Sequence, residues 1–141
     1  MSAAMSKEER EAFLADLHVG IVSIAREGRG PLTVPIWYDY EPGGDVWMLT
    51  SPSSLKGKAL EGVTRISLCA QTEDPPYKYV SVEGDYAISE ATPEHLLSMA
   101  VRYLGEEMGQ AYAANSQGDD SVIVSLKTDK WLTVDYSKVM G

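Results

Sequence analysis

The sequence predicts a mainly β chain: about six antiparallel strands closed into a barrel, with helices on its flanks. Three observations carry this. Apolar and polar residues alternate over short runs, as where Leu32, Val34, Ile36 and Tyr38 interleave with Thr33, Pro35, Trp37 and Asp39. Glycine-bearing turns such as REGRG (26–30) and EPGGD (41–45) separate these runs at hairpin spacing. The helical stretches are too few to bundle around so many strands, and closing the sheet removes the edges an open one would have to protect.

Each element has its own warrant. SKEEREAFLADL opens a helix, with Ser6 and Glu9 at capping-box spacing and Phe13, Leu14 and Leu17 near helical period. HVGIVSIA (18–25), PLTVPIWYDY (31–40) and VWMLT (46–50) read as a three-strand meander. A short helix follows over roughly 54–61, with Ser53 as its expected cap. TRISLCAQ (64–71) returns to strand, TEDPP (72–76) is a loop because two prolines cannot serve a central ladder, and YKYVSVEGDYAIS (77–89) is a long strand. Gly84 marks a bulge or bend in it. Thr92 and Pro93 start a second helix that runs over 95–115, with a break or kink at Gly105. SVIVSLKTDKWLTVDY (121–136) closes as one strand or a strand pair.

A length of 141 residues fits one domain over 1–141, and 44% hydrophobic with 23% charged residues is a globular balance. The formal charge of −9 argues against a nucleic-acid partner, which needs a basic face. The single cysteine, Cys69, allows no internal disulfide and reads as a small buried hydrophobe in a reducing compartment. No signal-peptide pattern and no apolar run near the ~20 residues of a membrane span are visible, so the expected location is the cytoplasm, without membrane insertion.

SPSSLKGKALEG (51–62) raises a specific question, because Lys56 and Lys58 stand where a helix begins and carboxylates are favoured. Residues 51–71 hold three cations and one carboxylate, a net of +2, which leaves −11 for the rest of the chain. Backbone N–H groups of the first turn, the hydroxyls of Ser51, Ser53 and Ser54 and the two ammonium groups converge on one spot. That is the chemistry of a phosphate or another dense anion. The alternative is two solvated surface charges. Trp37 and Tyr38 could face a flat aromatic ligand, and the PPYKY loop adds Tyr77, Lys78 and Tyr79. Three tryptophans and eight tyrosines against one phenylalanine suit a wet interface or ligand cleft, although core packing is the commoner role for each.

The order of these parts resembles the pyridoxamine-phosphate-oxidase-like split β-barrels, and most of all their branch that uses the deazaflavin coenzyme F420. The resemblance spans almost the whole chain through TVPIWYDY, LTSPSSLKGKALEG, ISLCAQTEDPPYKYVSVEG and KTDKWLTVDY. It implies that Val34, Pro35, Ile36 and Trp37 lie along the cofactor ring. It also implies that Lys56, Gly57, Lys58, Ala59 and Leu60 stand where the family has a phosphate-clamping K-x-R-N-L turn. Here lysine replaces arginine and alanine replaces asparagine, leaving point charges without a bidentate fork. Gln71 matches a position that reaches the ring or its polyol chain. The family binds cofactor at a homodimer interface, so Pro75, Pro76, Tyr77, Lys78 and Tyr79 would come from the partner subunit, with Trp131 near the same cleft. Lys7, Arg10, Arg29 and Lys78 are candidates for an acidic cofactor tail.

The implied function is hydride transfer from reduced F420 to a conjugated small molecule such as a quinone, enone or tetrapyrrole. Solvent or a tyrosine would supply the proton, and no catalytic residue is assigned. The alternatives are a flavin mononucleotide (FMN) enzyme of the same fold and a carrier that holds F420 without turnover. A haem site fits less well, because His18 and His95 lie on separate elements. No spacing of histidine, cysteine or carboxylate points to a metal.

Overall fold

A computed structural model describes residues 2–139 of the chain. The elements run α1 (Lys7–Ala15), β1 (Gly20–Arg26), β2 (Arg29–Ile36), β3 (Tyr38–Tyr40), β4 (Val46–Thr50), α2 (Leu55–Leu60), β5 (Arg65–Gln71) and β6 (Lys78–Glu90). They continue with α3 (Pro93–Leu104), α4 (Glu106–Ala114), β7 (Val122–Leu126) and β8 (Lys130–Asp135), closed by a 3-10 turn over Tyr136–Lys138. There are eight strands rather than about six, because one run that reads as a single strand is divided and the closing run takes the strand-pair form of its two readings. PLTVPIWYDY divides at Trp37, and the last run divides at 127–129.

The sheet order is β2-β1-β5-β6-β7-β4-β3, with β8 also on β6. The two ends of this order, β2 and β3, are consecutive in the chain and separated by Trp37 alone. The sheet has therefore curled until its opposite ends are successive stretches of one segment, which makes a barrel. The expected meander survives in bent form: β1 pairs with β2 and β3 pairs with β4, all antiparallel.

Gly84 is the second corner. Strand β6 pairs with β8 up to Glu83 and with β7 from Tyr86 onward. Between them the chain crosses directly over Gly84, so close that any Cβ there would collide with the carbonyl of Lys127. The bend thus depends on a missing side chain rather than on an unusual backbone angle.

Inward rows form the core. Val34, Val22, Leu68, Val82 and Trp131 are successive cross-strand neighbours, and Val22, Leu68 and Val82 are buried. Each such aliphatic contributes about 1.5–3 kcal/mol on burial. Helix α1 closes one side of the barrel. Its Ser6–Glu9 capping box forms as expected, and Phe13 and Leu14 are buried. The Tyr38 hydroxyl donates to the Leu14 carbonyl at 2.7 Å. Helices α3 and α4 form a hairpin through Gly105 (φ +86), and Gly109 of α4 sits so near Val101 that a Cβ would be 2.6 Å from its Cα. No helix among the described residues is long and apolar enough to cross a membrane.

Candidate functional site

The site begins at a free strand edge. Strand β2 pairs on one side only, with β1. An edge tolerates Pro31 and Pro35, which a central strand would not. Strand β4 pairs with β3 up to Met48 and with β7 up to Thr50, then leaves the sheet through the turn 51–54 into α2. Helix α2 packs on β1, the partner of β2, and covers this part of the barrel. Ile36, Thr50, Lys56 and Leu60 line the resulting seam, backed by Val22, Ile24, Met48 and Ile66.

The turn is built by serines, with one change from expectation. Ser54, not Ser53, caps the helix: its hydroxyl accepts from Gly57 N at 3.1 Å and donates to the Ser51 carbonyl at 2.7 Å. That hydroxyl is spent on the fold. Ser51 and Ser53 instead pair with each other at 3.1 Å on the surface. Gly57 packs flat on the turn, where a Cβ would come within 2.6 Å of the Pro52 carbonyl. The helix is only six residues long, so Lys58 stands in its last turn, where a cation is favoured, rather than at its start.

The two lysines differ. Lys58 is exposed, whereas Lys56 is half-buried with its stem against the apolar seam. Neither meets a carboxylate among the described residues, a state they share with Lys7, Arg10, Arg26, Arg29, Lys127 and Lys130, whereas Arg65, Lys78, Arg102 and Lys138 are paired. Two unpaired cations and two surface hydroxyls at one turn fit an anionic group of a cofactor. No cluster of three or more metal-ligating side chains occurs among the described residues.

The other candidates fall into separate neighbourhoods. Val34 and Ile36 point inward from the β2 edge, Pro35 outward, and Trp37 forms the corner. The Trp37 ring stacks on Tyr103 at 5.0 Å and tilts against Tyr112 at 5.6 Å. Of the two roles open to Tyr38, ligand contact or core, the structure gives it the core: it is wholly buried, and its phenol pKa is driven up chiefly by that burial. Gln71 and Tyr79 are direct cross-strand partners at the same end of the sheet as Trp37. Pro76 and Tyr77 lie in the exposed loop before β6, and Lys78 reaches Asp135 at 3.9 Å. Trp131 packs on the α1 side, beneath the Arg10 guanidinium at 4.5 Å and edge-on to Tyr40.

Cys69 corrects a second expectation. It is half-buried on the outer face of the sheet, because the alternation sends Leu68 and Ala70 inward. An outward row runs Pro35, Ile21, Cys69, Ser81, Leu132 across five strands, and none of the five carries a charge. Leu132 is 61% exposed.

Two features had no sequence signal. One is the junction at Arg102 and Tyr103. Arg102 donates to the carbonyls of Tyr38, Ala15 and Asp16 and pairs with Asp39 at 3.3 Å. The Tyr103 hydroxyl accepts from Tyr38 N and lies 2.6 Å from the His18 carbonyl. These partners are more than 60 residues away in sequence. The other is a cleft of about 590 Å³ between the α3–α4 hairpin and the end of the barrel.

A curled antiparallel sheet, joined to itself at one corner and open along one strand edge beside a lysine-bearing turn, defines the split β-barrel class. The chain belongs to the pyridoxamine 5'-phosphate oxidase family, whose model matches residues 6–135. No curated protein matches the chain significantly. Among solved structures it is similar to a conserved hypothetical protein of Mycobacterium tuberculosis, at 23% identity and TM-score 0.79, covering 100% of this chain and 92% of that one. A protein described as an F420 reductase is similar at 20% identity and TM-score 0.70, with 86% and 94% covered. A FAD-binding protein of Mesorhizobium loti follows at 18% identity and TM-score 0.64, with 92% and 93% covered. At these identities the likeness bears on the fold.

Proposed function

We propose that the whole chain acts as one cofactor-binding domain, an oxidoreductase that uses the deazaflavin F420 to reduce a conjugated small molecule. The observation that carries this is the pairing of a free β2 edge with a half-buried, unpartnered Lys56. Lys56 and Lys58, with Ser51 and Ser53, would hold the cofactor phosphate. Val34, Pro35, Ile36 and Trp37 would line its ring, with Gln71 at the far end. When bound and reduced, the cofactor supplies a hydride. The chain's own residues bind, orient and exclude water.

The uncharged outer row centred on Cys69 supports a homodimer. A two-fold contact there would bring Pro76, Tyr77, Lys78 and Tyr79 of one subunit toward the other's cleft. Trp131 is the least supported of the site residues, since its neighbours are those of α1. FMN is the second reading, because it too presents a phosphate to the same turn and flavin binders share the fold.

Titrating the protein with F420 and separately with FMN, by cofactor fluorescence, tests the reading. Tight binding of F420 alone is expected, and Lys56→Ala with Lys58→Ala should weaken it at least tenfold. Binding that ignores both lysines overturns the clamp, and preference for FMN moves the chemistry to the flavin enzymes.

A further inference from the structure

The cleft under the α3–α4 hairpin is separate from the lysine turn, and β4 divides them. Met48 and Thr50 of β4 face the barrel interior and line the seam at Lys56, whereas Leu49 faces the other way and lines the cleft. No residue lines both spaces. The cleft encloses about 590 Å³, within the roughly 300–1,000 Å³ of small-molecule sites. Leu49, Pro93, Leu96, Leu97 and Ala113 give it an apolar lining. Its walls are fixed, because Gly109 seats α4 directly on α3, and Arg102 and Tyr103 tie α3 to the barrel.

The polar part of the lining accepts hydrogen bonds rather than donating them. Its charged residues are Glu94 and Asp119, with no lysine, arginine or histidine. Glu94 stands on the first turn of α3 and offsets the positive end of that helix. Hydrogen bonds from its own backbone N–H and from the Thr92 hydroxyl hold its carboxyl below the usual carboxylate range. Gln110 commits an amide N–H to Glu106 at 2.6 Å, and Ser116 donates its hydroxyl to the Tyr112 carbonyl at 2.7 Å, which leaves the oxygens of both as acceptors. The C-terminal turn of α4, with Ala113 and Ala114, forms another wall, and no basic residue offsets the partial negative charge of that helix end. The surroundings agree. Residues 90–121 hold six carboxylates against Arg102 alone, a net of −5 within the −9 of the chain, and Arg102 is already paired with Asp39.

We propose that this cleft is a second ligand site, independent of the lysine turn, and that it takes a small organic cation: a protonated amine carried on an apolar body. The body lies against the leucines. The ammonium group, which donates and cannot accept, meets the carboxylates of Glu94 and Asp119 and the oxygens of Gln110 and Ser116. A bare metal ion does not fit this lining, because no group of three metal-ligating side chains occurs among the described residues and the apolar surface would go unused. An anion of the same shape meets like charge and acceptors without donors. The two sites therefore call for opposite charges, an anion at the lysine turn and a cation at the cleft.

The test titrates the isotope-labelled full chain with tryptamine and, separately, with indole-3-propionate at neutral pH, following backbone amide shifts. The two probes share an indole ring and a two-carbon arm and differ in the sign of their charge. Tryptamine should shift the amides of Ala113, Ser116 and Ser121 saturably, and the propionate should bind about tenfold more weakly or not at all. Glu94→Gln with Asp119→Asn should weaken tryptamine about fivefold, as for two partly exposed ion pairs, and narrow the gap between the probes. Ala113→Trp, which fills the cleft, should abolish the shifts, and the charge variant decides the matter if the tryptophan impairs folding. Lys56→Ala with Lys58→Ala should leave tryptamine binding unchanged. Equal binding of both probes, shifts that fall away from the cleft, no saturable binding, or an affinity that ignores the two carboxylates overturns the proposal. A loss of tryptamine binding in the lysine variant overturns the independence of the two sites.

Discussion

Arg102 and Lys56 are both partly buried cations at corners of the same barrel, and they are satisfied in opposite ways. Arg102 spends its guanidinium on three backbone carbonyls and Asp39, and its charge also lies over the rings of Tyr38 and Tyr103. Lys56 lines the apolar seam together with Ile36, Met48 and Leu60 and has no carboxylate partner among the described residues. A cation whose contacts are complete holds the fold. A cation left without a carboxylate at the seam is free to meet an anion, which is the role proposed above for Lys56.

The contrast is broken most severely at Arg102. Replacing it by alanine strips Asp39 of its partner and removes a donor from the carbonyls of Tyr38, Ala15 and Asp16. The expected loss is about 3 kcal/mol, in the range for breaking a largely buried pair. It should be read from the urea midpoint at unchanged slope. A loss well under 1 kcal/mol would mean that the junction is held by Tyr103 and packing alone. Next in size is Gly57→Ala. The new methyl drives into the Ser51 and Pro52 carbonyls, so the helix must lift off its turn, at a cost of about 2 kcal/mol. Because Lys56 rides on that helix, cofactor affinity should fall with stability.

Lys56→Ala with Lys58→Ala sharpens the comparison from the other side. Stability should change by about 1 kcal/mol or less, the lost packing of the half-buried Lys56 stem being the main part, while cofactor binding drops. Loss of stability beyond that, with binding intact, would make these lysines structural like Arg102.

The same contrast explains what could be read in advance. The β2 alternation, the Ser6 capping box, the Thr92–Pro93 start and the break at Gly105 are local signals, and the structure realises them. The lysine turn was visible because its parts lie within eight residues. Its cap moved by one position because three serines compete for the role, and geometry chose the one whose hydroxyl also reaches the Ser51 carbonyl. The bend at Trp37 was hidden because alternation continues unbroken through it, so the extra strand left no mark. Tyr38 could be read as core or as a ligand contact beside Trp37, and its phase points it at Leu14. Arg102, Tyr103 and the hairpin cleft depend on partners distant in sequence, which no local pattern encodes.

The smallest expected effect tests how finely the Arg102 corner is balanced. His18 stacks on Phe13 at 4.4 Å, and its Nε2 is buried without a partner. Its pKa is lowered, first by burial and further by the nearby Arg102 charge, with Asp16 and a backbone bond at Phe13 opposing. The unfolded chain titrates this imidazole near ~6.5. Below that pH the unfolded state binds the proton that the folded state resists, so stability should fall as pH drops from about 7 through the ordinary histidine range. Once pH passes below the folded pKa, this contribution levels off. His18→Phe keeps the stack on Phe13 and removes the titration. Melting temperatures of the two proteins should therefore diverge between neutral pH and mildly acidic pH, with the wild type losing more. Parallel curves would mean that the buried ring finds a partner on protonation, and that the corner tolerates a second positive charge beside Arg102.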